Sequence, residues 1–405
     1  MKPSVLLGIC GGIAAYKIPS LARILVTRDI DVRVIMTKAA EHFVTPLTLA
    51  TLSGHRVYRD MWADPYDPSV EHISLADECD AAVVAPATAN VIGKLAGGIA
   101  DDLLTTALLA VKKPVLIAPS MNVNMLNHPV VQQNINRLKE FGYYILQPDA
   151  GWLACGWTGE GRMPDPERIA DEVSALLTER DLSGERIIVT AGPTEEPLDP
   201  VRMLTNKSSG KMGAAIARRA SMRGADVVLV AGPVKIPTPD GVRHVPVKTA
   251  VDMYDAVMSL FKDADVVIKA AAVADFRPVK AESLKIKKVN ADNVIELARN
   301  PDILKELGEM KRSEQVLVGF AAETNDVLNN GRKKLQSKNL DMLVLNDVSE
   351  PGAGFDYDTN IVRLLHRSGE EEQLGIMSKE KVADVILDRV KALRQDRKTT
   401  TDVTS

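Results

Sequence analysis

Short β-branched runs recur through the first part of the chain: Val5 to Cys10, Val32 to Thr37, Ala81 to Ala85, Val115 to Ala118 and Tyr143 to Leu146. Each is followed by Gly, Pro or polar residues and then usually by helical spacing, which is the pattern of strands joined in parallel by crossover helices. Such a sheet needs both faces covered, so the pattern predicts a doubly wound α/β domain. A second series runs through Ile187 to Thr190, Val227 to Val230, Val266 to Ala270, Val316 to Gly319 and Met342 to Leu345. Between them lie a helical segment, Glu167 to Leu177, and a polar stretch without apolar periodicity, 178–185. The expectation is two Rossmann-like α/β domains with mainly parallel sheets, over residues 1–180 and 186–395, with a boundary near 180 to 186. The last residues, 396–405, are polar with a Thr run and no apolar anchors, and read as a disordered tail.

Composition removes several function classes. Over 405 residues, 50 Lys and Arg face 54 Asp and Glu, a formal charge of −4, which gives no electrostatic case for binding nucleic acid or a membrane surface. The apolar stretch Val5 to Tyr16 could pass for a secretory core, but Gly11 and Gly12 interrupt it, and Ile18, Leu21, Ala22 and Leu25 continue it with helical spacing. No apolar run reaches the roughly 18 residues of a membrane span. A cytoplasmic protein is expected. The three cysteines, Cys10, Cys79 and Cys155, form no CxxC pair or Cys/His cluster, so neither a zinc site nor a disulfide framework is expected.

Motifs gather where strands end. Gly8-Ile-Cys-Gly-Gly-Ile-Ala-Ala-Tyr-Lys17 turns a first strand into a helix, the place where backbone N–H groups and a helix start hold phosphate in open parallel sheets. It lacks GxGxxG spacing, and its glycines serve tight packing or ligand binding about equally well. Thr37, the run Ala85-Pro-Ala-Thr-Ala-Asn90 and the run Ala118-Pro-Ser-Met-Asn122 end further strands on the same edge, and together they make a better ligand site than any one motif. His72, in Val70-Glu-His-Ile-Ser-Leu-Ala-Asp77 with Ile73, Leu75 and Ala76 expected inward, reads by itself as an ordinary core or surface histidine. Cys155 sits among four glycines and two tryptophans, Trp152 and Trp157, in a run from Gly151 to Met163 that reads as a mobile loop. A structural cysteine belongs on a strand or buried helix face, so the functional reading of Cys155 is preferred, with Cys10 and Cys79 as packing residues.

Gly11 to Lys17, His72 to Ala76, Pro119 to Met125 and Ala154 to Met163 are four ordered motifs in which the first 180 or so residues resemble the flavin-dependent cysteine decarboxylases. The resemblance implies bound FMN, held by Gly11, Gly12, Ile13, Ala14, Thr37, Pro86, Ala87, Thr88 and Asn90. In that family the flavin oxidises the substrate thiol to a thioaldehyde, which acts as the electron sink for loss of CO2; the resulting ene-thiolate is then reduced. The resemblance makes His72 the base or polarising group, Asn122 the holder of the substrate carboxylate and Cys155 the proton donor on a closing lid.

The densest run of the chain, Ile188 to Gly213, is a strand end followed by a long polar loop and the segment Ser208-Ser-Gly-Lys-Met-Gly213, with a helix expected from near Ala214. Some 20 structureless residues in a compact domain usually mean function. The segment fails the phosphate-loop pattern, since Thr205 stands in place of the first Gly and Met212 follows Lys211. Beyond it, Ala270 to Arg277 ends a strand with Asp275, Leu284-Lys-Ile-Lys-Lys288 supplies cations, and Asn300-Pro-Asp-Ile303 starts a helix. Val318 to Asn325 ends another strand, and Lys334 and Lys338 lie four apart on one helical face. Lysine clusters are usually solvated faces, but two of them following strand ends beside an Asp able to hold Mg²⁺ fit a nucleoside triphosphate better.

These motifs resemble phosphopantothenate–cysteine ligase, and the whole order resembles the bacterial bifunctional phosphopantothenoylcysteine decarboxylase/phosphopantothenate–cysteine ligase family of coenzyme A synthesis. That implies CTP and Mg²⁺: the 4'-phosphopantothenate carboxylate attacks the α-phosphate to give an acyl-cytidylate, and the amine of cysteine displaces CMP. By resemblance Asn206 assists that intermediate, with Asp199, Arg202 and Lys211 nearby, while Asp275 (also the metal residue), Lys285, Asn300, Pro301, Asp302, Ile303, Phe320, Lys334 and Lys338 line the nucleotide site. It also implies a homo-oligomer, a dodecamer built from trimers of the first domain and dimers of the second. Two other readings compete with it: a non-catalytic regulatory relative, disfavoured by His72, Asn122 and Cys155 together, and a nucleotide-dependent oxidoreductase, which tight NAD binding without flavin would favour.

Overall fold

The computed structural model describes residues 2–62, 71–152, 156–286, 294–322, 327–346, 357 and 359–404. The chain divides into two compact units, Met1–Glu179 and Arg180–Ser405.

In the first unit six parallel strands stand in the order Val57–Tyr58, Asp31–Met36, Ser4–Ile9, Ala81–Ala87, Val115–Pro119, Tyr144–Ile145. The first strand pairs on both sides, Val5 with Val32 and with Ala81, so the winding direction reverses there. Its side chains alternate between two cores, as the period of two requires. Val5, Leu7 and Ile9 face helices Ile18–Thr27 and Pro166–Leu177, while Leu6 and Cys10 face Ile92, Leu95, Leu104 and Leu108. Burial pushes the Cys10 thiol up to about 12 and the Cys79 thiol up to about 11, which makes both the inert packing groups expected of them.

The second unit repeats the scheme with eight strands: Arg243–Pro246, Asp226–Ala231, Arg186–Ala191, Val266–Lys269, Val316–Ala322, Met342–Asn346, Val362–His366, Glu371–Gln373. The first six are parallel and the last two antiparallel, so the sheet is mainly parallel. Its reversal point is Arg186–Ala191, paired on both sides. Ile187 and Val189 face one core, Ile188 the other. Among the described residues no helix is long and apolar enough to cross a membrane.

Three sequence expectations are corrected. The long loop after Ala191 is not structureless, because Glu195–Pro197 and Met203–Thr205 pair antiparallel within it. The following helix starts at Lys211 rather than near Ala214, since Gly210, in the left-handed region at φ 74°, makes the turn into it. A Cβ at Gly210 would stand 2.7 Å from Val234 Cγ1, so no other residue fits there without strain.

The disordered tail read over 396–405 is instead helical through Thr404, the end of helix Lys379–Thr404. Apolar anchors do stop near Leu393, but charged ones replace them. Arg394 binds Glu185 at 2.7 Å and Asp265 at 2.8 Å, Arg397 binds Asp341, and Lys398 binds Glu185 at 2.6 Å. Ion pairs with residues far away in sequence leave no trace in a polar pattern.

Arg394 and Glu185 are both buried, and removing one partner of such a pair leaves an uncompensated charge. Arg394→Ala is expected to lower the unfolding free energy of the second unit by about 3 kcal/mol or more, whereas Lys398→Ala, on an exposed side chain, costs under about 1 kcal/mol. Urea denaturation of the two variants followed by circular dichroism checks the ranking.

Candidate functional site

At the carboxyl edge of the first sheet the turn after Ser4–Ile9 meets two others. A Cβ on Gly11 would stand 2.3 Å from Ala39 Cβ and 2.9 Å from Ala39 O, so this turn lies directly against the one that follows Thr37. Thr37 is tied back by its N–H to Ile9 O at 3.0 Å. On the other side, a Cβ on Gly12 would stand 3.6 Å from Thr88 Cγ2 and 3.9 Å from Pro86 Cγ, in ordinary contact. Thr88 caps helix Ala89–Gly97, its hydroxyl oxygen accepting from Val91 N, which places Asn90 in the first turn of that helix. Ala14 is buried, whereas Ile13 stays 58% exposed in a turn otherwise wrapped in backbone, an apolar side chain left facing outward at the edge. Gly11, Gly12, Ile13, Ala14, Thr37, Pro86, Ala87, Thr88 and Asn90 thus belong to one cluster of turns.

Asn122 joins this edge through the neighbouring strand. Pro119 pairs with Ala87, Ser120 N donates to Ala87 O at 3.0 Å, and Asn122 caps the short helix Val123–Leu126 by accepting from Asn124 N at 2.8 Å. The run around Cys155 is not wholly a loop: Asp149–Trp152 and Thr158–Arg162 pair antiparallel, with Trp152 and Trp157 exposed. Glycine forms this hairpin's foothold. Gly161, at φ 139°, accepts a hydrogen bond from Met121 N at 3.0 Å, and a Cβ there would come within 2.2 Å of Met121 O. Past the hairpin, Asp165 accepts from Lys17 and Arg162, each at 3.1 Å, tying its base to the helix that follows the first glycine turn. Cys155 itself lies outside the described residues.

His72 is half-buried near the start of helix Glu71–Glu78. That helix runs down to the amino end of Ala81–Ala87, so its first turn points back toward the carboxyl edge. Leu75 and Ala76 pack inward as expected, but Ile73, also placed inward, is 41% exposed. The helix is short and buries only the stripe carrying Leu75 and Ala76.

In the second unit a cavity of about 720 Å³ opens at the carboxyl edge of the sheet. Its lining includes Asn206, Lys211, Asp275, Asn300, Pro301, Asp302, Ile303, Phe320, Lys334 and Lys338, ten of the predicted residues. Asn206 Nδ2 donates to Ala272 O and Val273 O, both at 3.1 Å, which fixes the plane of its amide against the strand-end turn. Asn300 donates to Ala274 O at 2.8 Å and so holds the Asn-Pro-Asp turn beside Asp275. Asp302 caps helix Ile303–Met310 and binds Lys338 at 2.8 Å. The described lining carries seven Lys or Arg side chains against two carboxylates, a strongly cationic chamber in a chain of net charge −4.

Asp199, Arg202 and Lys285 do not line this cavity. Asp199 is instead a structural acceptor, taking hydrogen bonds from Arg202 Nε at 2.9 Å, Val201 N at 2.8 Å and Ile286 N at 3.1 Å. Burial pushes its carboxyl up, but these bonds outweigh that and hold it well below the usual carboxylate range. Arg202 also donates to Ile286 O at 2.8 Å, so the pair fastens the segment carrying the exposed Lys285.

Sequence reasoning passed over Lys269, Arg299, Asn346, Asn360 and Lys379, all in the lining. Lys269 had a readable signal: it ends the otherwise apolar run Val266 to Ile268 where a strand meets the carboxyl edge. Burial, with Lys334 and Lys338 close by, pulls its ammonium down to about 8.

The Flavoprotein family model matches residues 1–178, and the model of the DNA/pantothenate metabolism flavoprotein C-terminal domain matches residues 182–393. The coenzyme A biosynthesis bifunctional protein CoaBC of Bacillus subtilis (strain 168) is 50% identical over 394 residues, spanning 96% of this chain and 97% of that protein. The chain belongs to the family of bifunctional coenzyme A biosynthesis proteins. The protein of the same name from Escherichia coli (strain K12) is 43% identical over 398 residues, spanning 97% of this chain and 98% of that one. A solved structure of the C-terminal domain of a CoaBC protein is 45% identical, covers 54% of this chain and 100% of its own, and superposes with a TM-score of 0.47. As a member of this family the chain is a bifunctional enzyme, with a flavoprotein decarboxylase half and a ligase half.

Gly161→Ala breaks the foothold of the hairpin without touching the second unit. The expected result is at least a tenfold fall in CO2 release with ligation and flavin absorbance retained, measured on the same preparation.

Proposed function

We propose that the second half joins cysteine to 4'-phosphopantothenate at the expense of CTP, through an acyl-cytidylate, and that the first half decarboxylates the product to 4'-phosphopantetheine with FMN. The observation that carries the reading is the cationic cavity, which gathers Asn206, Asp275, Asp302, Lys334 and Lys338 from four separate stretches of sequence at one sheet edge. A triphosphate brings the charge this chamber lacks.

Ligation requires pyrophosphate to leave as the carboxylate attacks the α-phosphate, after which the cysteine amine attacks the acyl carbon and CMP departs. Lys334 and Lys338 offset the charge that develops on pyrophosphate. Asn206, its amide held by two carbonyls, positions the acyl-cytidylate. Asp275 is the residue to hold Mg²⁺. Mg²⁺ commonly takes one or two carboxylates together with the phosphates of its substrate. Lys285 and Arg202 belong to the segment that Asp199 fastens, and their role toward the nucleotide rests on the family resemblance alone.

In the first half the turns at Gly11, Gly12, Thr37 and Pro86 to Asn90 form a cradle without room for a Cβ at Gly11, and they fit a flavin brought close to the backbone. When bound, the flavin supplies two-electron oxidation of the thiol and its later reversal. His72 takes or polarises the thiol proton, Asn122 holds the substrate carboxylate, and Cys155 protonates the ene-thiolate. Exposed Ile13 and Tyr16 beside the glycine turn are compatible with the subunit-shared flavin site and the trimer-and-dimer assembly that the family resemblance implies.

Purified enzyme supplied with CTP, cysteine and 4'-phosphopantothenate is expected to release CMP and CO2 in equal amounts. CMP without CO2, in protein with bound flavin, would refute the decarboxylation. Cys155→Ser is expected to leave CMP formation intact while the oxidised, decarboxylated intermediate accumulates, detected by mass spectrometry; undiminished turnover would show that Cys155 is not the proton donor.

A further inference from the structure

Lys269 has no part in the roles given above, and its position is unusual. Val267 and Lys269 share a face of their strand, by the period of two. That face is covered by helices Ile303–Met310 and Val327–Ser337: Val267 packs with Ile303, Leu304 and Leu335. Lys269 takes the next position of the same row, where the core ends and the cavity begins. An apolar side chain would complete the row. An ammonium there is partly removed from water and stands near two further cations, Lys334 from the covering helix and Lys338 just beyond it. The nearby Asp302 and Asp275 favour its charged form, but burial and the two cations outweigh them. Asp302 is bonded to Lys338 at 2.8 Å and to the start of its own helix, and Lys269 forms no ion pair among the described residues.

We propose that Lys269 is a further substrate-binding residue of the ligase, holding the β- and γ-phosphates of the nucleotide together with Lys334 and Lys338. Three ammonium groups against Asp302, itself engaged by Lys338, and Asp275 leave a surplus of positive charge that complements a ligand carrying several negative charges in a row. Such a ligand offsets the repulsion that Lys334 and Lys338 exert on Lys269. A nucleoside monophosphate, with its phosphate next to the ribose, does not reach as far, so Lys269 separates triphosphate from monophosphate. This rests on the nucleotide reading of the cavity. Because 4'-phosphopantothenate also carries a phosphate, the test must tell the two sources apart.

The experiment uses the full-length enzyme with Lys269→Met, which keeps length and removes charge, and Lys269→Arg, which restores charge. Binding of CTP, CMP and 4'-phosphopantothenate is measured by calorimetry. Lys269→Met is expected to weaken CTP about tenfold or more while changing CMP less than about twofold, and Lys269→Arg to recover most of the loss. Unchanged CTP binding, equal losses for CTP and CMP, or a loss confined to 4'-phosphopantothenate would each overturn the assignment. If the wild-type enzyme binds no CTP, the nucleotide reading fails first and the proposal with it.

A measurement on the wild-type enzyme covers the case in which the Met variant does not fold. Lysines are acylated at pH 8 with and without nucleotide, and the Lys269 peptide is followed by mass spectrometry. Its lowered ammonium makes Lys269 reactive at that pH. Protection by CTP but not by CMP supports the assignment; protection by neither, or equally by both, overturns it.

Discussion

Burial of a parallel sheet on both faces governs everything else in this protein. In each unit the central strands send alternate side chains into two separate cores, so almost no polar chemistry can sit on a sheet face. The functional groups must stand where strands end, and every strand of a parallel set ends on the same side. The glycine turns and Thr88 of the first unit follow from this geometry, as do Asp275 and the Asn300-Pro-Asp turn of the second. Both sheets also reverse winding at their first strand, Ser4–Ile9 and Arg186–Ala191, and the crevice such a reversal opens is where ligands of doubly wound folds lie.

Within that frame, single residues set the fine geometry by what they exclude. Gly161 lets the hairpin touch Met121 O, and Gly210 lets a helix begin against Val234. Asp199 performs the opposite service, gathering backbone and guanidinium donors until two distant stretches are locked together. Asp302 does two things at once, capping a helix and pairing with Lys338, so the charge state of the cavity and the start of a core helix are joined at one carboxylate.

The strands, the two-domain scale and the sheet-edge placement of the motifs were legible in the sequence because apolar period and turn chemistry are local. Asn206, Asp275 and Lys338 were found through family motifs and proved to share one cavity. Other properties depend on partners distant in the chain. Asp199 looks like a substrate residue in sequence, yet its carboxylate is spent on Arg202 and Ile286. The tail looks unanchored because Glu185, Asp265 and Asp341, which hold it, lie far upstream. Lys269 went unread because a lysine at the end of an apolar run gains its meaning only from helices that arrive later.

The clasp between Arg394 and Glu185 also bears on how the enzyme comes into being at the ribosome. The last helix of the first core, Pro166–Leu177, is synthesised before the second unit begins, so the flavoprotein half has all its packing elements while translation continues. The ligase half differs. Its opening segment at Glu185 is held by Arg394, 209 residues further along the chain, so this clasp cannot form until the helix Lys379–Thr404 has been made.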